Sequence, residues 1–270
     1  MMVDSIRSEF LKFFTTRLWW GLAIAMFLGG ALFAVILGIV LTLEPDPEAV
    51  ARGQQVVGTP LQVANSVYTA GLTIGYTLTL VIGIMQIGSE YRHKTVSSTF
   101  LSTPRRVRVM LAKVVALLGI GAIYGLISLV GSVIAGAIVL QARGADPFPG
   151  PEVLRALALS LLVLGLWALI GLGVGILIPN QVAALLIAVG VAWIIEPLAG
   201  FALGFWEFGR DHIVHFLPSQ ATNAIVEGVT QGGSNAAQPL SWWAAALVLA
   251  AYAAVLSAVG TWRTVRQDIS

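Results

Sequence analysis

The side chains in this sequence that are suited to bind another molecule include a hydroxyl-rich run. The run NSVYTAGLTIGYTLTL contains Asn65, Thr69, Thr73, Tyr76 and Thr77, and their spacing places them near one helical face. In an apolar helix such a stripe forms hydrogen bonds to neighbouring helices, each contributing about 0.6 kcal/mol. Most such stripes are explained in this way, and a lining for a substrate path is the alternative that stays open at this point.

A second candidate is an acid, Glu196, which lies inside an apolar run and is followed by Pro197. A charged side chain deep in lipid costs about 3 kcal/mol or more, so such residues usually face protein or water. Glu196 lies about 15 residues into its run, or about 22 Å along a helix, which is near the far interface. Its expected role is therefore either a structural cap at a helix end or a part in transport.

A third feature is the charged connection EYRHKTVSSTFLSTPRRVRVMLAK, which holds six of the fifteen Lys and Arg residues. Thr95–Leu101 predicts a short helix with Val96 and Phe100 on one side. Thr103 and Pro104 then predict the N-cap and the first residue of the next helix. Three arginines in its first turns oppose the helix dipole by about 0.3–1 kcal/mol each. Topology, anionic lipid or an acidic partner therefore accounts for them, and helix stability does not.

Catalytic machinery is not expected in this chain. It has no glycine-rich loop ending in Gly-Lys-Ser or Gly-Lys-Thr, the sequence that cradles the phosphates of ATP. It has no cysteine, and its three histidines lie outside or at the ends of the apolar runs. We therefore predict no catalytic residue, no metal site and no cofactor within this chain.

The elements that position these residues are membrane-spanning helices. Of the 270 residues 57% are hydrophobic and 10% are charged, whereas soluble domains carry about 25% charged residues. Six apolar runs approach or exceed the roughly 20 residues needed to cross a bilayer. They are predicted at residues 18–43, 63–87, 114–140, 153–178, 182–199 and 242–262. The expected fold is an all-α membrane protein with a single transmembrane domain over residues 1–270.

The distribution of basic residues predicts the orientation. If both termini are cytoplasmic, eleven of the fifteen Lys and Arg residues lie on the inner side and four on the outer side. The inner set is Arg7, Lys12, Arg17, Arg92, Lys94, Arg105, Arg106, Arg108, Lys113, Arg263 and Arg266. Cytoplasmic connections carry this excess, so both termini are predicted to be cytoplasmic.

The segments outside the spans also have predicted structures. In residues 1–17 Val3, Ile6, Phe10 and Phe13 recur at helical spacing, which predicts an amphipathic helix in the inner interface. A plain positively charged flank is the alternative. Residues 200–241 are extracellular in this scheme and too apolar for a free loop. A short helix over Ser219–Val229, with partial re-entry into the membrane, is the expectation.

The charged connection resembles the cytoplasmic connection of ABC-2-type exporter permeases, which have the type V exporter fold. The matching residues are Glu90, Arg92, Thr95, Leu101, Ser102, Pro104, Arg106 and Lys113. The layout of the whole chain is similar too, with an amphipathic N-terminal helix, six spans and outer re-entrant helices before the last span. Lys94 departs from the pattern, because the family often has glycine there.

The resemblance implies that residues 88–113 form a coupling segment, whose short helix docks on a separate ATPase subunit. The implied contact residues are Glu90, Arg92, Lys94, Thr95, Val96, Phe100, Ser102, Pro104, Arg105 and Arg106. Two permease chains, alike or different, would pair with two ATPase subunits that bind ATP and Mg. Spans 2 and 5 would border the translocation path, with the hydroxyl stripe and Glu196 as candidate lining.

What the resemblance implies about function is export across the plasma membrane. The weakly polar second span favours an amphipathic or apolar cargo such as a drug, an antibiotic or a lipid-like compound, and nucleic acid is not an expected partner. Two other classes remain: a secondary transporter or channel that works without ATP, and a membrane immunity or scaffold protein. A secondary transporter would be expected to have ion-coupling charges in several spans.

Overall fold

Every regular element in the described part of the chain is a helix. The computed structural model describes residues 2–43, 58–92, 106–226 and 240–267. Its α-helices are α1 (Met2–Phe14), α2 (Leu18–Leu41), α3 (Pro60–Thr69), α4 (Leu72–Arg92), α5 (Arg106–Ala142), α6 (Glu152–Leu177), α7 (Gln181–Gly190), α8 (Glu196–Gly204), α9 (Pro218–Val226) and α10 (Trp242–Gln267). Two π-helical turns, Val191–Ile195 and Gly209–Ile213, and one 3-10 turn, Val214–Phe216, complete the described elements.

Six helical segments in the described residues are long and apolar enough to cross a membrane, which confirms the predicted all-α fold with six spans. They are span 1 (Leu18–Leu41), span 2 (Pro60–Arg92), span 3 (Met110–Ala142), span 4 (Glu152–Leu177), span 5 (Gln181–Gly204) and span 6 (Trp242–Gly260). Because successive spans run in opposite directions, the start of span 1, the end of span 2 and the start of span 3 lie at one end of the bundle. We call it the α1 end, since α1 packs there against α5.

Local capping signals determine where two spans begin. At the start of span 2, Thr59 Oγ1 accepts a hydrogen bond from the backbone N–H of Gln62, and Gln62 Oε1 accepts one from the N–H of Thr59. This reciprocal arrangement satisfies two backbone donors that a helix start otherwise leaves free. At the start of span 5, Asn180 Oδ1 accepts from the N–H groups of Val182 and Ala183, both at 3.1 Å. The turn between spans 4 and 5 can therefore be short.

Spans 2 and 4 form the tightly packed centre of the bundle. In each of these two spans, 61% of the most apolar 18-residue stretch is buried, against 22% in spans 1, 5 and 6. A Cβ atom added to Gly83 would lie 2.0 Å from the carbonyl oxygen of Ala168, and one added to Gly171 would lie 2.1 Å from that of Leu80. Only glycine allows the two backbones to approach this closely. The small residues thus determine which spans form the core.

Span 2 is interrupted by a short turn about a third of the way along it. Helix α3 ends at Thr69 and α4 begins at Leu72, with residues 70 and 71 forming a turn between them. The break divides the predicted stripe into two groups with different surroundings.

Span 5 contains one of the π-helical turns. Helix α7 passes into the turn Val191–Ile195 and continues as α8, which has Pro197 in its first turn. The helix therefore runs to Gly204, beyond the predicted end of the span at Ala199. π-Helical turns and prolines are the usual places where a helix bends.

The segment after span 5 folds back onto the bundle. Helix α9 begins at Pro218, where the sequence predicts a helix from Ser219, and its described part ends at Val226. It packs against span 4 and span 6. Its buried residues Ala221, Thr222, Ile225 and Val226 recur at helical spacing, so α9 presents one face to the bundle.

Candidate functional site

Most of the predicted coupling segment lies outside the described residues. This applies to Lys94, Thr95, Val96, Phe100, Ser102, Pro104 and Arg105. Arg106 is the first residue of α5, and its backbone alone is described. Glu90 and Arg92 lie in the last turn of span 2, where Arg92 is exposed. The described structure therefore shows both ends of the segment.

Two acidic and two basic side chains meet at the α1 end. Lys113 Nζ, at the start of span 3, donates to Glu9 Oε2 at 2.8 Å and to Glu90 Oε1 at 2.6 Å. Lys12 Nζ donates to Glu9 Oε1 at 2.6 Å and to Glu90 Oε1 at 2.7 Å. Each ammonium group thus bridges the carboxylates of α1 and span 2. We call these four residues the ion cluster.

The ion cluster is largely buried. The side chain of Lys113 is 2% exposed and that of Glu9 is 4% exposed, whereas that of Lys12 is 43% exposed. Gln86 of span 2 completes the surroundings of Glu9, because its Nε2 donates to the carboxylate at 3.0 Å and to the backbone carbonyl at 3.2 Å. Buried charges are tolerated when they are paired and hydrogen-bonded, and Glu9 meets both conditions.

The apolar face of α1 brings the cluster together. Glu9 and Phe13 are four residues apart on one side of the helix, and both are buried. The ring of Phe13 packs edge-on against Tyr124 of span 3 at a centroid distance of 5.7 Å. Phe10 packs on span 3 at Gly119, where an added Cβ atom would lie 2.7 Å from the tip of the Phe10 ring. The packing of these two phenylalanines against span 3 therefore places the carboxylate of Glu9 next to Lys113.

The two charges contributed by α1 have shifted ionisation. Burial alone would raise the pKa of Glu9, but Lys113 and Lys12 outweigh it and the pKa lies below its usual value of 4.5. Burial alone would lower the pKa of Lys12, but hydrogen bonds to Glu9 and Glu90 raise it above its usual value of 10.5. Both groups are therefore charged over the whole physiological pH range.

The cluster fixes the two ends of the connection between spans 2 and 3. Glu90 lies at the end of span 2 and Lys113 at the start of span 3. Their side chains are hydrogen-bonded to each other, so the two spans are joined at the points between which residues 93–105 run in the sequence. Removing one partner of a buried ion pair typically costs about 3–5 kcal/mol, because a charge is left uncompensated. The described residues on either side of the segment are therefore held together by buried charges, and α1 supplies one of them.

Sequence reasoning did not find Glu9, Lys12 or Gln86 as part of this site. A signal for Glu9 was available, because an acid four residues before a core phenylalanine lies on the apolar face of an amphipathic helix. An acid on that face implies a buried basic partner. Which lysine pairs with Glu9 depends on how α1 packs against the spans, and no local sequence pattern reveals that packing.

The structure does not bring the predicted hydroxyl stripe onto one surface. Asn65 and Thr69 lie in α3 and are buried within the bundle, where the Thr69 hydroxyl donates to the carbonyl of Asn65 at 2.7 Å. Tyr76 is also buried, and its ring stacks on Trp167 of span 4 with centroids 4.3 Å apart. Thr73 is exposed and Thr77 is half-buried. Three of the five residues therefore lie inside the bundle.

The two remaining threonines lie beside span 5. Trp193 Nε1, in the π-helical turn, donates to Thr77 Oγ1 at 2.9 Å, and the Thr77 hydroxyl in turn donates to the carbonyl of Thr73. Trp193 is 46% exposed. The Trp193 indole and the Thr77 hydroxyl therefore meet between spans 2 and 5, and Thr73 is exposed one turn before Thr77.

Glu196 is the first residue of α8 and lies in the second half of span 5. It is 6% exposed, and its Oε1 accepts a hydrogen bond from the backbone N–H of Ser219. Ser219 lies in the first turn of α9, where the backbone donors have no acceptor within the helix. Glu196 thus caps the start of α9, a neighbouring helix, and its part in a substrate path stays a prediction.

The fold and this site define a multi-pass helical membrane protein whose N-terminal helix is joined by buried charges to the base of a basic connection. The family comparison agrees with that class. A family model described as ABC-2 family transporter protein matches residues 4–269. The chain therefore belongs to the ABC-2 family, whose members are membrane subunits of ABC transporters with an ATPase partner. A comparison with curated proteins gives no match.

Proposed function

We propose that this chain is the permease subunit of an ABC exporter that moves an amphipathic or apolar compound out of the cell. Two permease chains, identical or different, assemble with two ATPase subunits, which bind ATP and Mg. The observation that carries the proposal is the ion cluster, which clamps both ends of the connection between spans 2 and 3.

The connection fits a coupling role because its base is stiff. ATP binding on a partner produces movement, and a segment transmits movement only when it is attached firmly to the spans that must move. Both flanking spans and α1 are joined by the buried contacts of Glu9, Glu90 and Lys113. A push on residues 93–105 is therefore transmitted to spans 2 and 3 together.

The predicted contact residues of the segment take two different roles in this proposal. Val96 and Phe100 are the apolar anchors in the ATPase cleft, with Arg92, Lys94, Thr95 and Arg106 around them. Ser102, Pro104 and Arg105 form the turn that follows. Glu90 differs, because its carboxylate is 7% exposed and already accepts from two ammonium groups. We therefore assign Glu90 to the base of the segment.

The charge distribution supports a cytoplasmic α1 end. Eleven of the fifteen Lys and Arg residues belong to segments at this end or at the chain termini beside it. Lys and Arg concentrate on the cytoplasmic side of membrane proteins. The ATPase then meets the segment in the cytoplasm, and the cargo leaves at the opposite end of a plasma-membrane protein.

The face between spans 2 and 5 is the proposed border of the translocation path. Thr73, Thr77 and Trp193 offer hydroxyl and indole groups on a surface that is otherwise apolar. A cargo with a large apolar body and few hydrogen-bonding groups suits such a surface, because each strongly polar group would be left without a partner.

The experiment that tests this function is reconstitution of this chain with its ATPase partner subunit. Wild type should co-purify with the ATPase and drive ATP-dependent uptake of a fluorescent amphipathic dye into inverted vesicles. Phe100→Asp should abolish both, because it places a charge in the proposed anchor. Phe148→Asp is the matched control, since Phe148 is an exposed aromatic residue at the opposite end and should leave both unchanged. Dye movement that does not require ATP would contradict the proposal.

A further inference from the structure

The end of span 5 opposite α1 is weakly embedded in the described structure. Helix α8 carries Leu198, Phe201 and Phe205, which are 61%, 68% and 77% exposed. Its main packing partners are the adjoining π-helical and 3-10 turns. Apolar packing therefore contributes little to the position of α8 against the rest of the bundle.

A buried polar contact joins α8 to the bundle instead. Glu196 is the first residue of α8, and its carboxylate accepts from the backbone N–H of Ser219 at the start of α9. This N–H would have no acceptor within its own helix. The contact thus stabilises two helices, because it caps α9 and holds the start of α8 in place.

Helix α9 is itself fixed firmly. Thr222 Oγ1 accepts from Trp167 Nε1 of span 4 at 2.9 Å, and Trp167 stacks on Tyr76 of span 2. Ala221 and Ile225 of α9 are fully buried. The contact of Glu196 with Ser219 therefore joins a weakly packed helix to the tightly packed centre of the molecule.

The chain also has a place at which α8 can turn. The π-helical turn Val191–Ile195 directly precedes Glu196, and Pro197 directly follows it. π-Helical turns and prolines interrupt the regular hydrogen-bond ladder, so helices bend there more readily than elsewhere. A bend at this point would move α8 without disturbing α7.

We propose that Glu196 is a latch that keeps the end of span 5 closed against α9. When the contact with Ser219 breaks, α8 turns about Val191–Ile195 and the end of the bundle opposite α1 opens. The latch goes beyond the proposed function and does not depend on it, because it can be measured on the permease alone.

The test uses spin labels, for which the chain is well suited because it has no cysteine. Ala202→Cys in α8 and Asn223→Cys in α9 place labels at two exposed positions. Pulsed electron–electron distance measurements on the full chain in nanodiscs should give one short distance. Glu196→Met, which removes the acceptor at similar volume, should increase the population of a longer distance at least fivefold.

Two further variants separate the latch from general damage. Glu196→Gln keeps a carbonyl acceptor and should retain the short distance. Ser219→Pro deletes the donor N–H in a first helical turn, where proline is tolerated, and should open α8 as Glu196→Met does. The proposal is overturned if Glu196→Met and Ser219→Pro both keep the wild-type distance. It is also overturned if Glu196→Gln opens α8 as far as Glu196→Met.

Discussion

Lys113 of span 3 donates a hydrogen bond to Glu9 of the N-terminal helix at 2.8 Å, although the two residues are 104 positions apart in the chain. Both side chains are almost fully buried. The N-terminal helix is therefore more than an amphipathic segment at the surface of the membrane. It supplies half of the charges that join spans 2 and 3 at their common end.

Replacing Lys113 with methionine is expected to destabilise the permease by about 3–5 kcal/mol, because Glu9 and Glu90 then share one partly exposed ammonium group. Thermal unfolding of the detergent-solubilised protein measures the effect. Lys12→Met is the matched control, since Lys12 is 43% exposed and water can replace its charge. Its expected loss is about 1 kcal/mol or less. Equal losses in the two variants would contradict the assignment of Lys113 as the central cation.

Glu9→Leu and Lys113→Met are expected to be strongly non-additive. The double variant removes one charge of each sign and leaves Lys12 paired with Glu90. It should therefore be more stable than the sum of the single losses implies, by about 1–3 kcal/mol. A double-mutant cycle on unfolding free energies measures this coupling. Simple additivity would mean that the two residues do not interact as the structure shows.

The stability of α1 packing is expected to depend on pH at both extremes. The pKa of Glu9 is depressed below 4.5 in the folded protein, so its contribution is fully present above 4.5 and is lost as the pH falls through the folded value. The pKa of Lys12 is raised above 10.5, so its contribution is present below 10.5 and is lost as the pH rises through the folded value.

Melting temperatures of wild type and Glu9→Gln, measured on both sides of pH 4.5, test the predicted loss of stability at low pH. The two proteins should differ most above pH 4.5 and converge below it, because protonation makes the wild-type side chain neutral as well. A constant difference across that range would show that the charge of Glu9 does not contribute to stability.

Trp193→Ala is expected to weaken the response to cargo without disrupting the fold, because Trp193 lies on the accessible face between spans 2 and 5. The dye concentration for half-maximal stimulation of ATP turnover should rise about tenfold, since an aromatic contact contributes roughly 1 kcal/mol beyond its buried area. Trp206→Ala removes an exposed tryptophan away from this face and should leave the concentration unchanged. An equal shift in both variants would remove Trp193 from the proposed path.

The sequence predicted the fold well because hydropathy over 20 residues is a local signal. The number of spans, the amphipathic start and the short helix after Pro218 are all readable from composition and spacing. The surroundings of the hydroxyl stripe could not be read from the sequence, because contacts such as the packing of Tyr76 on Trp167 are tertiary, and its part in a substrate path stays a prediction. The partnership of Glu9 with Lys113 depends on how two distant helices pack, and no local pattern encodes that.

The ratio of cargo exported to ATP hydrolysed, in a reconstituted complex carrying Lys113→Met, tests the central claim most directly. A stiff base is needed for transmission and not for ATP hydrolysis. The variant should therefore still bind the ATPase and hydrolyse ATP, with its export per ATP reduced about tenfold or more, a change that corresponds to about 1.4 kcal/mol. Glu9→Gln, which keeps the shape of the side chain, should give a smaller reduction. Export per ATP equal to that of wild type would contradict the account, because the ion cluster would then play no part in coupling.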